Sequence, residues 1–411
     1  MKSIINFSLI AAMVLILPVH ADGLREETLR QAAVSSGLVP AAETHVLVSL
    51  ELAKVGKLLF ESKLLSPSNT IACATCHIDR FGSADGLQQA VGIGGTGIGV
   101  ERLKGNGRIV PRNTLPFWGR GGVAFNVFFW DGKVDGTGGR LHSQFGSATP
   151  SHDPLVVAVH LPPAELSEMV GTEVDEDKVQ TETVNSAELL YSAATQRVAA
   201  DPKLGVALAR ARRVELGELA FLDIAEAIAA FIRTNFQVSE TAFHRFVFDG
   251  KPLPRSVVEG GLIFYGKGGC ASCHNGPYFS DLEFHGIPFP PAGFGKNGFG
   301  VDYGRYNVTL DPSDRGRFRT PPLYNVRKTA PYGHSGSIKN LADAITIHFD
   351  PLGVPIYKTL SPVQRAEFYR SLKVWSSEPV SGNVLYPEDI IKLVDFLSSL
   401  EYTTRWSVES E

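Results

Sequence analysis

The pentapeptide Cys73-Ala74-Thr75-Cys76-His77, which returns as Cys270-Ala271-Ser272-Cys273-His274, constrains this chain more than any other feature. Two thiols three positions apart, with a histidine directly after the second, form the attachment site of a c-type haem. Each thiol adds to a vinyl group, and the imidazole becomes an axial ligand of the iron. Zinc and redox Cys-x-x-Cys sites do not require that histidine, so its presence after both pairs favours haem. The chain has four cysteines and the two motifs use them all, which leaves none for a disulfide. Two covalently attached haem c groups are therefore expected, the first on Cys73, Cys76 and His77, the second on Cys270, Cys273 and His274.

A chain of 411 residues has room for more than one core, and two haems suggest two haem domains. The wording of the sequence repeats around them. Gly56-Lys57-Leu58-Leu59-Phe60 before the first motif resembles Gly260-Gly261-Leu262-Ile263-Phe264 before the second. Arg112-Asn113-Thr114-Leu115-Pro116 precedes Trp130-Asp131-Gly132 much as Arg319-Thr320-Pro321-Pro322-Leu323 precedes His334-Ser335-Gly336. An internal duplication of this kind predicts two related units, 22–245 and 246–411, joined where Asp249 to Pro254 interrupts the helical pattern. The expected class is mainly α: two tandem cytochrome c-like domains with long loops. Leu52, Val55 and Leu59 mark a short helix before the first motif. Residues 186–199 and 218–236 read as helices, the latter with Phe221, Ile224, Ile228 and Phe231 as its core stripe, and a last helix runs from about Pro387 to Ser399. Residues 82–107, rich in glycine, predict a long loop over the first haem. A second loop, at 286–300, is rich in glycine, proline and phenylalanine.

Residues 1–21 read as a secretory signal, with Lys2 at the start, an apolar run from Leu9 to Leu17 and Val19-His20-Ala21 as the cleavage site. That run is too short to span a bilayer, so no membrane insertion is expected. Export to the periplasm agrees with haem attachment outside the cytoplasmic membrane. Loss of Lys2 takes the net charge from −4 to −5, and no basic patch argues for a nucleic-acid partner.

Axial ligands narrow by elimination. Beyond the leader the chain has one methionine, Met169, in its first half, so the second haem has no methionine in its own half. Its other candidates are His285, His334, His348 or a tyrosine such as Tyr332. After Asn340, a good N-cap residue, Leu341, Ala344, Ile345 and His348 share one helical face, which turns His348 toward the core. Such a histidine is more often a hydrogen-bonded core residue, but a nearby haem without methionine favours the ligand reading. The loop from Phe81 to Arg112 holds neither histidine nor methionine. If it covers the first haem, that iron keeps an open position where hydrogen peroxide can bind, with Glu168 as acid–base and Gln144 as its orienting amide.

Taken together, both Cys-x-x-Cys-His motifs, Arg112-Asn113-Thr114, Phe129-Trp130-Asp131-Gly132, Phe318-Arg319-Thr320-Pro321 and Ala330-Pro331-Tyr332-Gly333-His334-Ser335-Gly336 resemble the bacterial di-haem cytochrome c peroxidase and MauG family, from about Leu52 to Leu400. The resemblance implies a peroxidatic first haem and a high-potential second one. It implies Trp130 as the electron relay between them, Glu168 as distal acid–base and Gln144 as distal glutamine. It also implies a calcium ion between the units, with Asn113, Thr320 and Pro322 where its ligands fall. Two departures stand out. Ile93 takes the place of the loop histidine that closes the peroxidatic haem in cytochrome c peroxidases, and His348 that of the methionine or tyrosine on the high-potential haem. Both resemble the MauG-like branch, whose members store two oxidising equivalents across both haems and draw electrons from side chains of a partner protein. Within it the chain is similar to enzymes of methanobactin-type gene pairs, which oxidise a tryptophan of a secreted copper-binding partner. The alternatives are a cytochrome c peroxidase fed by a small cytochrome or copper protein, and a di-haem electron carrier without enzyme activity.

Overall fold

The computed structural model describes residues 10–171 and 181–408, with residues 10–21 as backbone alone. The leader read at 1–21 therefore lies outside the described side chains. Among the described residues no helix is long and apolar enough to cross a membrane.

The expected helical class is what forms. Twelve helices follow one another: α1 (Ile10–Ser35), α2 (Leu50–Glu61), α3 (Pro154–His160), α4 (Val184–Ala200), α5 (Leu204–Arg212), α6 (Phe221–Asn235), α7 (Ala242–Asp249), α8 (Arg255–Tyr265), α9 (Tyr306–Thr309), α10 (Leu341–Ile347), α11 (Pro362–Trp375) and α12 (Pro387–Ser398). Among the described residues each strand is two residues long. β1 (Val127–Phe128), β2 (Val134–Asp135) and β3 (His142–Ser143) make one antiparallel ladder; β4 (Phe284–His285) pairs with β7 (Phe318–Arg319), and β5 (Phe294–Gly295) with β6 (Gly298–Phe299).

Two helix crossings organise the core, and each grows from the repeated glycine. Ser49 starts α2 by accepting the amide of Leu52, and the helix buries Val55, Leu59 and Phe60 against α6. On α6 the predicted stripe of Phe221, Ile224, Ile228 and Phe231 is fully packed. At the crossing a Cβ on Gly56 would sit 1.8 Å from the Ala227 carbonyl oxygen, so only glycine lets the two backbones touch. The same joint is built again where α8 meets α12: a Cβ on Gly260 would lie 1.9 Å from the Lys392 carbonyl oxygen. Even the ring pairs match, with Phe60 on Phe231 and Phe264 on Phe396 both at 5.0 Å between centroids. Each first helix carries its haem-attachment turn, Cys73–Thr75 on α2 and Cys270–Ser272 on α8.

The two crossings share one continuous apolar core. Helix α1 packs on α7 and α8, with Leu29 and Ala33 fully buried, so the segment ahead of α2 joins the second helix pair rather than the first. Between the two helix pairs, Gly250 closes α7 in the left-handed region (φ 67°), and Pro254 precedes α8. Helices α3, α5 and α11 carry no clean periodic signal; α3, for one, is apolar on every side and only seven residues long. The long glycine-rich loop is held by Arg102, whose Nε donates to the Val91 carbonyl at 2.8 Å and whose Nη2 donates to that of Gly92 at 2.7 Å.

Candidate active site

Each attachment turn opens into its own cavity, and the two cavities are nearly equal in size. The turns are copies. The amide of His77 donates to the Cys73 carbonyl at 3.0 Å, and that of His274 to the Cys270 carbonyl at 2.9 Å. His77 Nδ1 donates to the Ser83 carbonyl at 2.8 Å, and His274 Nδ1 to that of Phe279 at 2.9 Å. A carbonyl only accepts, so the proton sits on Nδ1 and Nε2 is left as the metal-binding nitrogen. Burial lowers both imidazoles to about 4 and pushes the thiols of Cys73, Cys76 and Cys270 up to about 12. Neutral imidazole, two thiols at one edge and apolar walls fit a covalently held haem in each cavity, which would supply the redox chemistry when bound.

The remaining walls differ. In the first cavity the distinctive group is Glu168, half-buried in a single π-type turn, Leu166–Val170. The glycine-rich loop reaches this turn through Gly92, where a Cβ would lie 2.0 Å from the Ser167 carbonyl oxygen. Burial, then the charge of Glu165, raises the Glu168 carboxyl to about 7, against the pull of Lys133 and Lys296. Glu165 itself is ion-paired to Lys133. Burial alone would raise Glu165, but Lys133 holds it ionised below its usual range. Met169 lines the same cavity from within the core. Ile93 is part-buried against the core.

Gln144 is not among the residues lining this cavity. It donates through Nε2 to Glu165 at 3.3 Å, so it supports the Glu165–Lys133 pair, while Ala158 of α3 takes a place on the cavity wall. Lys133, Glu165 and Lys296 were not singled out in the sequence. Glu165 had a signal, lying three positions before Glu168; Lys296 comes from the second half of the chain and had none.

In the second cavity an imidazole stands where the first has a carboxyl. His348 ends α10, and Leu341, Ala344, Ile345 and His348 all line the cavity, as their spacing predicted. Asn340 caps the helix by accepting the amide of Asp343. His348 Nδ1 donates to the Ala344 carbonyl at 2.8 Å, and the Trp375 indole fixes the His348 carbonyl at 2.7 Å. The His348 and His274 rings lie 6.3 Å apart between centroids. Two imidazoles bound to one metal through bonds of about 2 Å need a separation of this size.

Two of the competing candidates have other partners. His285 has a carboxylate on each ring nitrogen, Glu378 at 3.0 Å and Asp281 at 2.9 Å. His334 stacks face to face on Phe318, 3.7 Å away. Tyr332 lines the same cavity as His348, with its phenol pushed up to about 12 by burial, and stays the alternative to it.

Among the described residues, Trp130 is the one that lines both cavities. Its indole donates to the Asn113 carbonyl at 2.9 Å, and its own carbonyl accepts the Arg319 amide at 2.8 Å. Two of the expected calcium ligands, Asn113 and Thr320, lie beside it. The Thr320 carbonyl already accepts Ser280 Oγ at 2.6 Å and the cationic Arg319 at 3.1 Å, and Asn113 Nδ2 is spent on the Leu87 carbonyl.

A family model described as "Di-haem cytochrome c peroxidase" matches residues 50–251. The cytochrome-c peroxidase IdrP1 of Pseudomonas sp. (strain SCT) is 25% identical over 379 residues, 86% of this chain and 82% of that protein. The methylamine utilization protein MauG of Methylorubrum extorquens is 28% identical over 316 residues, 76% of this chain and 71% of that protein. Among solved structures, a MauG-like protein associated with microbial copper homeostasis aligns with a TM-score of 0.62 at 20% identity, covering 89% of this chain and 92% of that one.

Proposed function

From the premise that this chain belongs to the di-haem cytochrome c peroxidase and MauG family of oxidoreductases, we propose that it uses hydrogen peroxide to oxidise a side chain, a tryptophan, of a partner protein. One observation carries this reading. The two cavities flanking Trp130 are unlike: one offers a titratable carboxyl, the other a second imidazole. The haems would supply the redox chemistry when bound, the first open to peroxide and the second held by both His274 and His348.

Glu168 is the acid–base. With its carboxyl raised to about 7, it is poised near neutral pH to take a proton from one peroxide oxygen and return it to the other. The Glu165–Lys133 pair and Gln144 hold the wall on which it stands. Trp130, part of both walls, carries charge between the haems. The unit boundary at residue 246, the leader at 1–21 and hence a periplasmic place of work belong to the same proposal.

Mixing ferric protein with peroxide in a stopped-flow spectrometer, without reductant, tests it. Prompt reaction of both haems is expected, and Trp130→Phe leaves the first haem reacting while the second lags. His348→Ala turns the second haem high-spin. The names of relatives such as IdrP1 favour a second reading, peroxide reduction to water with electrons from a small redox protein. That reading takes over if the oxidised protein is inert until half-reduced.

A further inference from the structure

A buried guanidinium without partners costs far more than one left in water, so folded proteins pair such groups. This chain follows the rule at Arg112, held between Asp131 at 2.6 Å and Asp302 at 2.7 Å, and at Arg233, which grips Asp153 at 2.6 Å. Arg120 and Arg319 break it. Arg120 is 6% exposed, and its Nε and Nη2 have no hydrogen-bond partner. Arg319 is 1% exposed; its Nε and Nη1 donate to the carbonyls of Phe129 and Thr320, but Nη2 has no partner.

Their positions give the pattern a meaning. Arg120 lines the first cavity and Arg319 the second. Burial works to strip the charge from Arg120, and the positive charge of Arg319 adds to that pressure. The Arg120 guanidinium sits 5.3 Å from the centre of the Phe117 ring, and the same ring lies 4.0 Å from the ring of His77. The unpartnered cation is therefore fixed on the aromatic that also packs the axial imidazole. What is missing from each site is an anion that enters the cavity. A haem brings two, its propionate carboxylates.

We propose that Arg120 is the counter-ion of a propionate of the first haem, and Arg319 that of a propionate of the second. A guanidinium meets a carboxylate through two parallel N–H donors, and Arg120 has Nε and Nη2 available on one edge. The pair would set how each haem lies in its cavity and would favour the reduced, less positive state of each iron. No peroxide chemistry enters, so this inference stands or falls apart from the reading above.

A crystal structure of the holoprotein tests the contact directly. A propionate oxygen within hydrogen-bond distance of Arg120 is expected, and the same at Arg319. Chloride, water or a protein side chain on Arg120, with the propionates elsewhere, overturns it. Spectroelectrochemical titration of the holoprotein adds a functional readout. Arg120→Gln should move the potential of the first haem downward and that of the second by much less, Arg120→Lys should restore most of the shift, and Arg319→Gln should reverse the pattern. Equal movement of both haems in every variant, or none, contradicts the assignment. If Arg120→Gln fails to mature, the wild-type structure still decides.

Discussion

The two cavities were built to one plan and finished to two. A glycine at the helix crossing, an attachment turn on the first helix and an axial imidazole locked by a backbone carbonyl recur with distances that agree to about 0.1 Å. These features hold a large planar group against a core and tolerate little change. The facing walls have diverged completely: Glu168 on a tight turn in the first, His348 at the end of α10 in the second. Attachment is thus the shared feature, and the proposed function assigns reactivity to the residues that differ. Trp130 belongs to both, where the proposed reading needs a single relay.

Breaking this contrast at its reactive end should have the largest effect. Glu168→Gln removes the proton acceptor and should slow peroxide cleavage about 10²–10⁴-fold with both haems still attached. The base form of Glu168 predominates above about pH 7, so the wild-type rate should climb as pH rises through that value, and the variant should lose the climb. Rapid-mixing kinetics across pH 5–9 measure both, and a wild-type rate that falls over that interval would remove Glu168 as the base.

The shared part of the plan comes next. Gly56→Ala and Gly260→Ala each drive a methyl into a carbonyl oxygen, at 1.8 Å and 1.9 Å, and should each cost about 3 kcal/mol, the upper end of overpacking penalties. Denaturation of the holoprotein should find the two losses alike; a large loss in one and none in the other would deny that the crossings are equivalent. The smallest effect concerns the support behind His348. Trp375→Phe deletes one hydrogen bond to its carbonyl and should cost about 1 kcal/mol. The second haem's spectrum should change slightly while the first haem's stays as it was.

What could be read from the sequence was the repeated and the local. The attachment motifs, the glycine-led repeat and the face shared by Leu341, Ala344, Ile345 and His348 depend on residues a few positions apart, where spacing maps directly onto geometry. What could not be read depends on long-range closure. Lys133 and Glu165 meet across 32 positions, and Lys296 reaches the first cavity from a loop of the second half. The same limit misplaced Gln144, a fitting residue type whose side chain is drawn to Glu165. Arg319, placed by tertiary packing, holds the Thr320 carbonyl. Arg120 gave no signal at all, for only a folded structure reveals a charge without a partner.

The central claim is that one iron is open and the other is closed by two imidazoles. Low-temperature EPR of the ferric holoprotein, recorded before and after one equivalent of peroxide, tests it most directly. The account predicts one high-spin and one low-spin signal of equal weight at rest, both lost on adding peroxide. Two low-spin signals that peroxide leaves unchanged would contradict it.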